Sequence, residues 1–264
     1  MERGGCLPPL RYLATRQSAV SLHRVDTRGK PGQGGRLGVI ASKSASRWRD
    51  LGVRIASALV LLPIGIGSIW AGGAVWLVCL TLIIAGLGIE WALLWRARTR
   101  PQTGQAMLPA GLVYIALTWL SLFILRGTEG GLANVLFLMA VVWAGDIGAY
   151  AAGRAIGGPR LAPSVSPGKT WSGAIGGTLC AIAAGLAVAR QHLPQAALLA
   201  LGLSVVAQVG DLLESAVKRH FGAKDSGKLI PGHGGLLDRL DGVLAASPAA
   251  LAVSLATGPG PLWG

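Results

Sequence analysis

The apolar positions of this chain come in long unbroken runs. They do not alternate as half-buried strands do, nor leave the polar stripe of a surface helix. Seven runs stand out, at roughly 53–71, 73–95, 108–125, 131–152, 171–189, 193–213 and 240–258. A helix rising about 1.5 Å per residue needs about 20 residues to cross a hydrocarbon core about 30 Å thick. Each run approaches that length. Gly72 and Gly73 join the first two, and Trp70, Trp76, Trp91, Trp95 and Trp171 fall near run ends, where indole rings favour the membrane interface. The seventh run is the weakest, because Asp241, Ser247 and Pro248 interrupt it. The pattern predicts an all-α polytopic membrane protein of about seven transmembrane helices. An eighth is compatible with it and would reverse the side of whatever follows.

Composition agrees: 13% of residues are charged, against about 25% in a soluble domain, and the mean hydropathy is +0.56. Cys6, Cys79 and Cys180 are too scattered for a metal or disulfide framework. The net charge of +13 would point to nucleic acid in a soluble protein. Here the basic residues lie between apolar runs, which marks topology and contact with anionic lipid, so a lipid bilayer is expected and nucleic acid is not. With the N-terminus placed in the cytoplasm, only Arg126 and Arg190 of the 24 lysines and arginines fall outside. Residues 1–48 are Arg-rich and poor in acids, and cannot bury a core. A disordered cytoplasmic tail, an over-extended gene start and an organellar transit peptide all fit that stretch. The membrane domain is expected over 49–264.

A charge within the hydrocarbon is costly, about 2.5–3.5 kcal/mol for an aspartate at a helix centre, so acids there are functional candidates. Asp146 closes the fourth run, Asp211 and Glu214 the sixth, and Asp238 and Asp241 open the seventh. The i, i+3 spacing of Asp238 and Asp241 sets both on one helix face. With Asp211 at the same boundary, they suit Mg²⁺, a hard cation that takes oxygen ligands. The competing reading pairs Asp238 with Arg239 or Lys218 and leaves Asp241 as a helix cap. Glu90 is a weaker candidate, expected to pair with an arginine in the bundle or to reach toward Arg96. Two polar segments flank these acids. "KRHFGAKDSGKLIPGHGGLLDRLDG", 218–242, offers Lys218, Arg219, Lys224 and Lys228 to phosphates and a glycine turn around His233, or is simply a solvated basic loop. "LAPSVSPGKTWSG", 161–173, ends like a phosphate-binding loop, but Pro163 stands where its first glycine belongs. Ser166, Lys169 and Thr170 there precede the fifth helix, as an anion site or as an ordinary cap.

The segment "SAVKRHFGAKDSGKLIPGHGGLLDRLD", 215–241, closely resembles the signature of the phosphatidate cytidylyltransferases, and "DIGAYAAGRAIG" and "SPGKTWSG" resemble their upstream segments in the same order. The specific likeness spans about 143–247. One departure is Ser172, where the family commonly has glutamate. The resemblance implies that CTP and phosphatidic acid give CDP-diacylglycerol and pyrophosphate, with Mg²⁺, a second monovalent cation being compatible, at a polar site on the cytoplasmic side of a bacterial inner membrane. A homodimer is an accompanying expectation. It further implies that Asp211, Asp238, Asp241 and Asp146 hold metal. Lys218, Arg219, Lys224 and Arg239 would hold phosphates. Ser215 and His233 would orient substrate, Asp225 would fix a lysine, and Ser166, Lys169 and Thr170 would contact the nucleotide or the lipid headgroup.

Two other enzyme classes compete. "DRLDG" looks like the start of a CDP-alcohol phosphotransferase motif, but no acid follows Asp241 to complete it. A CTP-dependent polyprenol or phytol kinase remains, and would release CDP rather than pyrophosphate. A transporter would spread charge through the membrane, whereas here it gathers at one side.

Overall fold

The structure, a computed structural model, describes residue 57 and residues 59–99, 104–227 and 234–264. The basic stretch 1–48, Lys228 and His233 lie outside the described residues. Seven helices are described: α1 (Leu59–Ala71), α2 (Gly73–Arg96), α3 (Met107–Gly127), α4 (Gly131–Ile156), α5 (Trp171–Ala189), α6 (Leu193–His220) and α7 (Leu237–Thr257). All but α1 are long and apolar enough to cross a membrane. The all-α polytopic expectation is borne out.

Three boundaries differ from the sequence pattern. Helix α6 continues seven residues past the expected end, carrying Asp211, Glu214, Ser215 and Lys218 on a regular helix. Apolar run length marks where the lipid-facing part stops, and hydrogen bonding carries the helix on. Between α4 and α5 lies an antiparallel hairpin, β1 (Arg160–Ala162) and β2 (Ser166–Thr170). Pro159, Pro163 and Pro167 interrupt this stretch and prevent a helix. Ser166 and Lys169 therefore sit on a strand rather than at a helix start. Third, Pro248 does not break α7. It has no N–H to give the Leu244 carbonyl four residues back, and Thr118 Oγ1 of α3 donates to that carbonyl instead, at 3.2 Å.

Small residues set the closest helix contacts. Helix α4 packs most extensively on α5. A Cβ on Gly148 would overlap Cys180, and one on Gly177 would press on the Gly145 carbonyl and on Ala149. Gly210 of α6 meets Ala245 of α7 in the same way. Without side chains at these positions the backbones approach closely, the usual means of helix association in lipid. The core is filled by Phe137, Leu138, Val141, Leu203 and Val243, and a second cluster joins Trp91, Phe221, Leu237 and Leu244.

The two ends of the bundle differ in charge. At one end Arg126 Nε donates to the Ile69 carbonyl at 2.8 Å, and Asn134 accepts from the Leu262 amide at 2.8 Å. The α1–α2 joint, the α3–α4 turn and the C-terminal residues thus share that end. Every described lysine and arginine except Arg126 and Arg190 lies at the other end.

Candidate active site

The basic end holds a cavity of about 520 Å³ between α4, α5, α6, α7 and the hairpin. Asp146, Asp211, Asp238 and Asp241 all line it, with Arg154, Lys169, Thr170, Tyr150, Gln208 and Arg239. Helix geometry explains most of this set. Asp146, Tyr150 and Arg154 are spaced four apart, so α4 shows them on one face. Gly153 lies against Thr170 Oγ1 and the Gly173 backbone, which keeps that face close to the start of α5. The Gly210–Ala245 contact brings α6 and α7 together where Asp211 and Asp241 sit.

Each aspartate has a distinct environment. Asp211 forms an ion pair with Lys169, which reaches across from β2, and Ser215 Oγ donates to it at 3.5 Å. Asp238 is the most engaged. Lys218 Nζ lies 2.6 Å from Oδ1, and the amides of Ser226 and Gly235 donate to Oδ2 at 3.0 and 3.3 Å. These bonds use most of the lone pairs that a carboxylate offers. Asp241 accepts only from the Gly242 amide, at 2.7 Å, among the bonds of its described neighbours. Lys218 is itself buried, and Glu214 one turn earlier lies 3.1 Å from its Nζ. The competing reading of Asp238, a partner for Lys218, is thus present in the structure.

The hairpin is tied to its surroundings. Thr170 caps α5, accepting from the Gly173 amide at 3.1 Å. Ser172 Oγ donates to the Gly157 carbonyl at 2.5 Å and lies 3.0 Å from Thr170 Oγ1. Ser172 is turned toward the chain entering the hairpin and is not among the cavity-lining residues. Arg219 donates to the Val165 carbonyl at the hairpin turn and to the Ala223 carbonyl, at 3.4 and 3.2 Å.

Of the expected site residues, the cavity gathers Asp146, Lys169, Thr170, Asp211, Asp238, Arg239 and Asp241. Lys218 and Ser215 stand behind it as partners of two of its aspartates. Ser166 and Arg219 belong to the hairpin and its support. Lys224 and Asp225 are exposed on the turn after α6 and do not line the cavity. Tyr150, Arg154 and Gln208 gained no role from the sequence. The four-residue spacing from Asp146 is a signal that points to the first two, whereas Gln208 sits in an apolar run that hides it. Among the described residues Glu90 neither meets an arginine nor reaches toward Arg96, contrary to expectation. It is 2% exposed and turns inward, where the Leu237 amide and the Ser226 hydroxyl both donate to its Oε2 and Oε1 meets no donor among the described residues.

Oxygen donors from three helices in one cavity suit a hard divalent cation in kind. Among the described residues no three of them are drawn as close together as a bound ion requires. The Lys169 ammonium occupies Asp211 instead.

A polytopic helical membrane protein with acids and cations gathered in a cavity at one end is the class that fold and site define. Residues 94–256 match the model of the cytidylyltransferase family, and the chain belongs to that family. It is 50% identical over 192 residues to the phosphatidate cytidylyltransferase of Brucella suis biovar 1 (strain 1330), covering 71% of this chain and 68% of that protein. The phosphatidate cytidylyltransferase of Mycobacterium tuberculosis (strain ATCC 25618 / H37Rv) is 36% identical over 223 residues, 75% of this chain and 68% of the relative. That of Haemophilus influenzae is 43% identical over 127 residues, 45% of this chain and 44% of the relative.

Proposed function

We infer that this protein is a membrane nucleotidyltransferase that transfers CMP from CTP to phosphatidic acid, giving CDP-diacylglycerol and pyrophosphate for phospholipid synthesis. The family membership and the relatives' names support this. The observation that carries it is the 520 Å³ cavity with acids and cations, set at the end of a bundle whose helices suit lipid.

A phosphate oxygen of phosphatidic acid attacks the α-phosphorus of CTP. A new P–O–P link forms, the α–β anhydride bond breaks, and pyrophosphate leaves. The nucleophile is already an anion, so no side-chain base is required. The protein's task is to hold two polyanions together and offset their charge. Lys169, Arg154 and Arg239 face the cavity and are suited to hold phosphates. Lys169, now paired with Asp211, would be free for this role if Asp211 held a divalent cation. Asp146, Asp211 and Asp241 would hold a divalent ion, Mg²⁺ being the one proposed. Asp238 would join them only by giving up hydrogen bonds that it already makes. A bound divalent ion neutralises phosphate oxygens and stabilises the leaving pyrophosphate. Lys218 and Ser215 keep Asp238 and Asp211 in place. The acyl chains stay in the bilayer while the headgroup enters the cavity. The cluster of positive charge at this end supports a cytoplasmic location for it and for the N-terminus, and bacterial relatives support an inner membrane.

The test is turnover of labelled CTP with phosphatidic acid in mixed micelles, with and without Mg²⁺. Equal amounts of pyrophosphate and lipid-linked cytidine are expected. Release of CDP with no lipid-linked cytidine would replace this reading with a lipid kinase.

A further inference from the structure

The buried acid Glu90 has no part in the reaction as described, yet it bonds to the segment that carries two of the cavity aspartates. It comes from α2, four residues before the family match begins. Its Oε2 accepts the Leu237 amide at 2.7 Å and the Ser226 hydroxyl at 3.2 Å. Leu237 is the first residue of α7, and Ser226 precedes it on the approach. The Ser226 amide in turn donates to Asp238 at 3.0 Å. One carboxyl group therefore holds both Ser226 and Leu237.

Gly227 and Gly235 fit the same picture. A Cβ on Gly227 would overlap Glu90 Oε1. One on Gly235 would overlap Ser226 Oγ and come within 3.0 Å of Glu90 Oε1 and 2.9 Å of Asp238 Oδ2. Both positions leave room only for a backbone drawn tight against the carboxyl group. A free amide at a helix N-terminus also favours a negative acceptor, and this one is satisfied by a side chain from another helix. A bulk packing role would need none of these directed bonds, and leucine would serve it better in an apolar bundle.

We propose that Glu90 is the positioning residue for the active-site turn. It fixes the first turn of α7 through Leu237 and its approach through Ser226, and so sets Asp238 and Asp241 on the cavity. This rests on the reading of that cavity as the nucleotidyl-transfer site.

The test compares E90L, E90Q and S226A in the full chain in micelles, by amide hydrogen exchange and by steady-state kinetics. In E90L the Ser226 and Leu237 amides should exchange at least about tenfold faster, with the α4 and α5 amides unchanged. Its kcat should fall at least about tenfold, and KM for phosphatidic acid should move less than about threefold. E90Q keeps an acceptor oxygen and should recover most of both effects. Wild-type kcat in folded E90L, or unchanged exchange at Leu237, overturns the proposal. So does E90Q behaving as E90L does. If E90L does not fold, S226A decides: faster Leu237 exchange with lower kcat supports the clamp, and no change in either refutes it. A wild-type protein that forms no lipid-linked cytidine would refute the function, while the exchange data would still report on the clamp.

Discussion

The Lys218 ammonium lies 2.6 Å from Asp238 Oδ1, joining the end of α6 to the start of α7. The pair spans 20 residues of sequence, and both side chains are largely shielded, 9% and 18% exposed. A shielded pair adds little net stability over an apolar replacement, because both charges are taken out of water, but breaking it from one side is costly, because the surviving charge has lost its partner.

Lys218→Met should therefore destabilise more than Lys218→Met combined with Asp238→Asn. The coupling in a double-mutant cycle should be on the order of 1–3 kcal/mol. Thermal unfolding in detergent, read by tryptophan fluorescence, checks this. Full additivity would mean that the two groups do not depend on each other.

Lys169 reaches from the hairpin to Asp211. If it passes to the nucleotide during turnover, Lys169→Met should lower kcat/KM for CTP about 10²-fold, the scale of losing one aimed charge in a site. Retention of the folded state should be near complete, because the cavity is open to water. Kinetics at varied CTP decide it, and a loss confined to the KM for phosphatidic acid would place Lys169 on the lipid instead.

Removing divalent ions with a chelator should stop turnover, and Mg²⁺ should restore it. Asp241→Asn should raise the Mg²⁺ concentration needed for half-maximal rate by about tenfold or more, or abolish the rate altogether. Calorimetric titration of the divalent ion into wild-type and variant protein gives a reading independent of activity. Equal binding by both would remove Asp241 from the metal set.

Thr118→Val removes the hydroxyl that serves the Leu244 carbonyl, left without a helical donor by Pro248. The expected cost is about 0.5–1.5 kcal/mol, with kcat unchanged. Restoring the helical donor with Pro248→Ala should offset most of that loss. If the double variant is no more stable than Thr118→Val alone, the hydroxyl is not compensating for the proline.

Ser172 lies in the first turn of α5, beside its cap. Its hydroxyl bonds to the Gly157 carbonyl and it lies outside the cavity lining. Ser172→Ala should cost about 1 kcal/mol of stability and change kcat less than about twofold. A large drop in kcat at constant stability would show that the hairpin's entry is coupled to turnover.

Much of this molecule was readable along the chain. A run of about 20 apolar residues has few ways to satisfy its backbone in lipid, so helices at 73–95, 108–125, 131–152, 171–189, 193–213 and 240–258 followed from composition alone. The acids that interrupt or end those runs, Asp146, Asp211, Asp238 and Asp241, were visible because their cost in hydrocarbon makes them rare. Of the pairings, only Lys218 with Asp238 was among the alternatives that the sequence left open. The Lys169–Asp211 and Lys218–Asp238 pairs depend on how α5, α6, α7 and the hairpin approach one another. Glycines such as Gly148, Gly177 and Gly210 control that approach only once the facing helix is known. The partner of Glu90 is the clearest case. Nothing near it in sequence points to Leu237, 147 residues away. An isolated acid in an apolar run carries no address, and only packing α2 against the start of α7 decides which donor it meets.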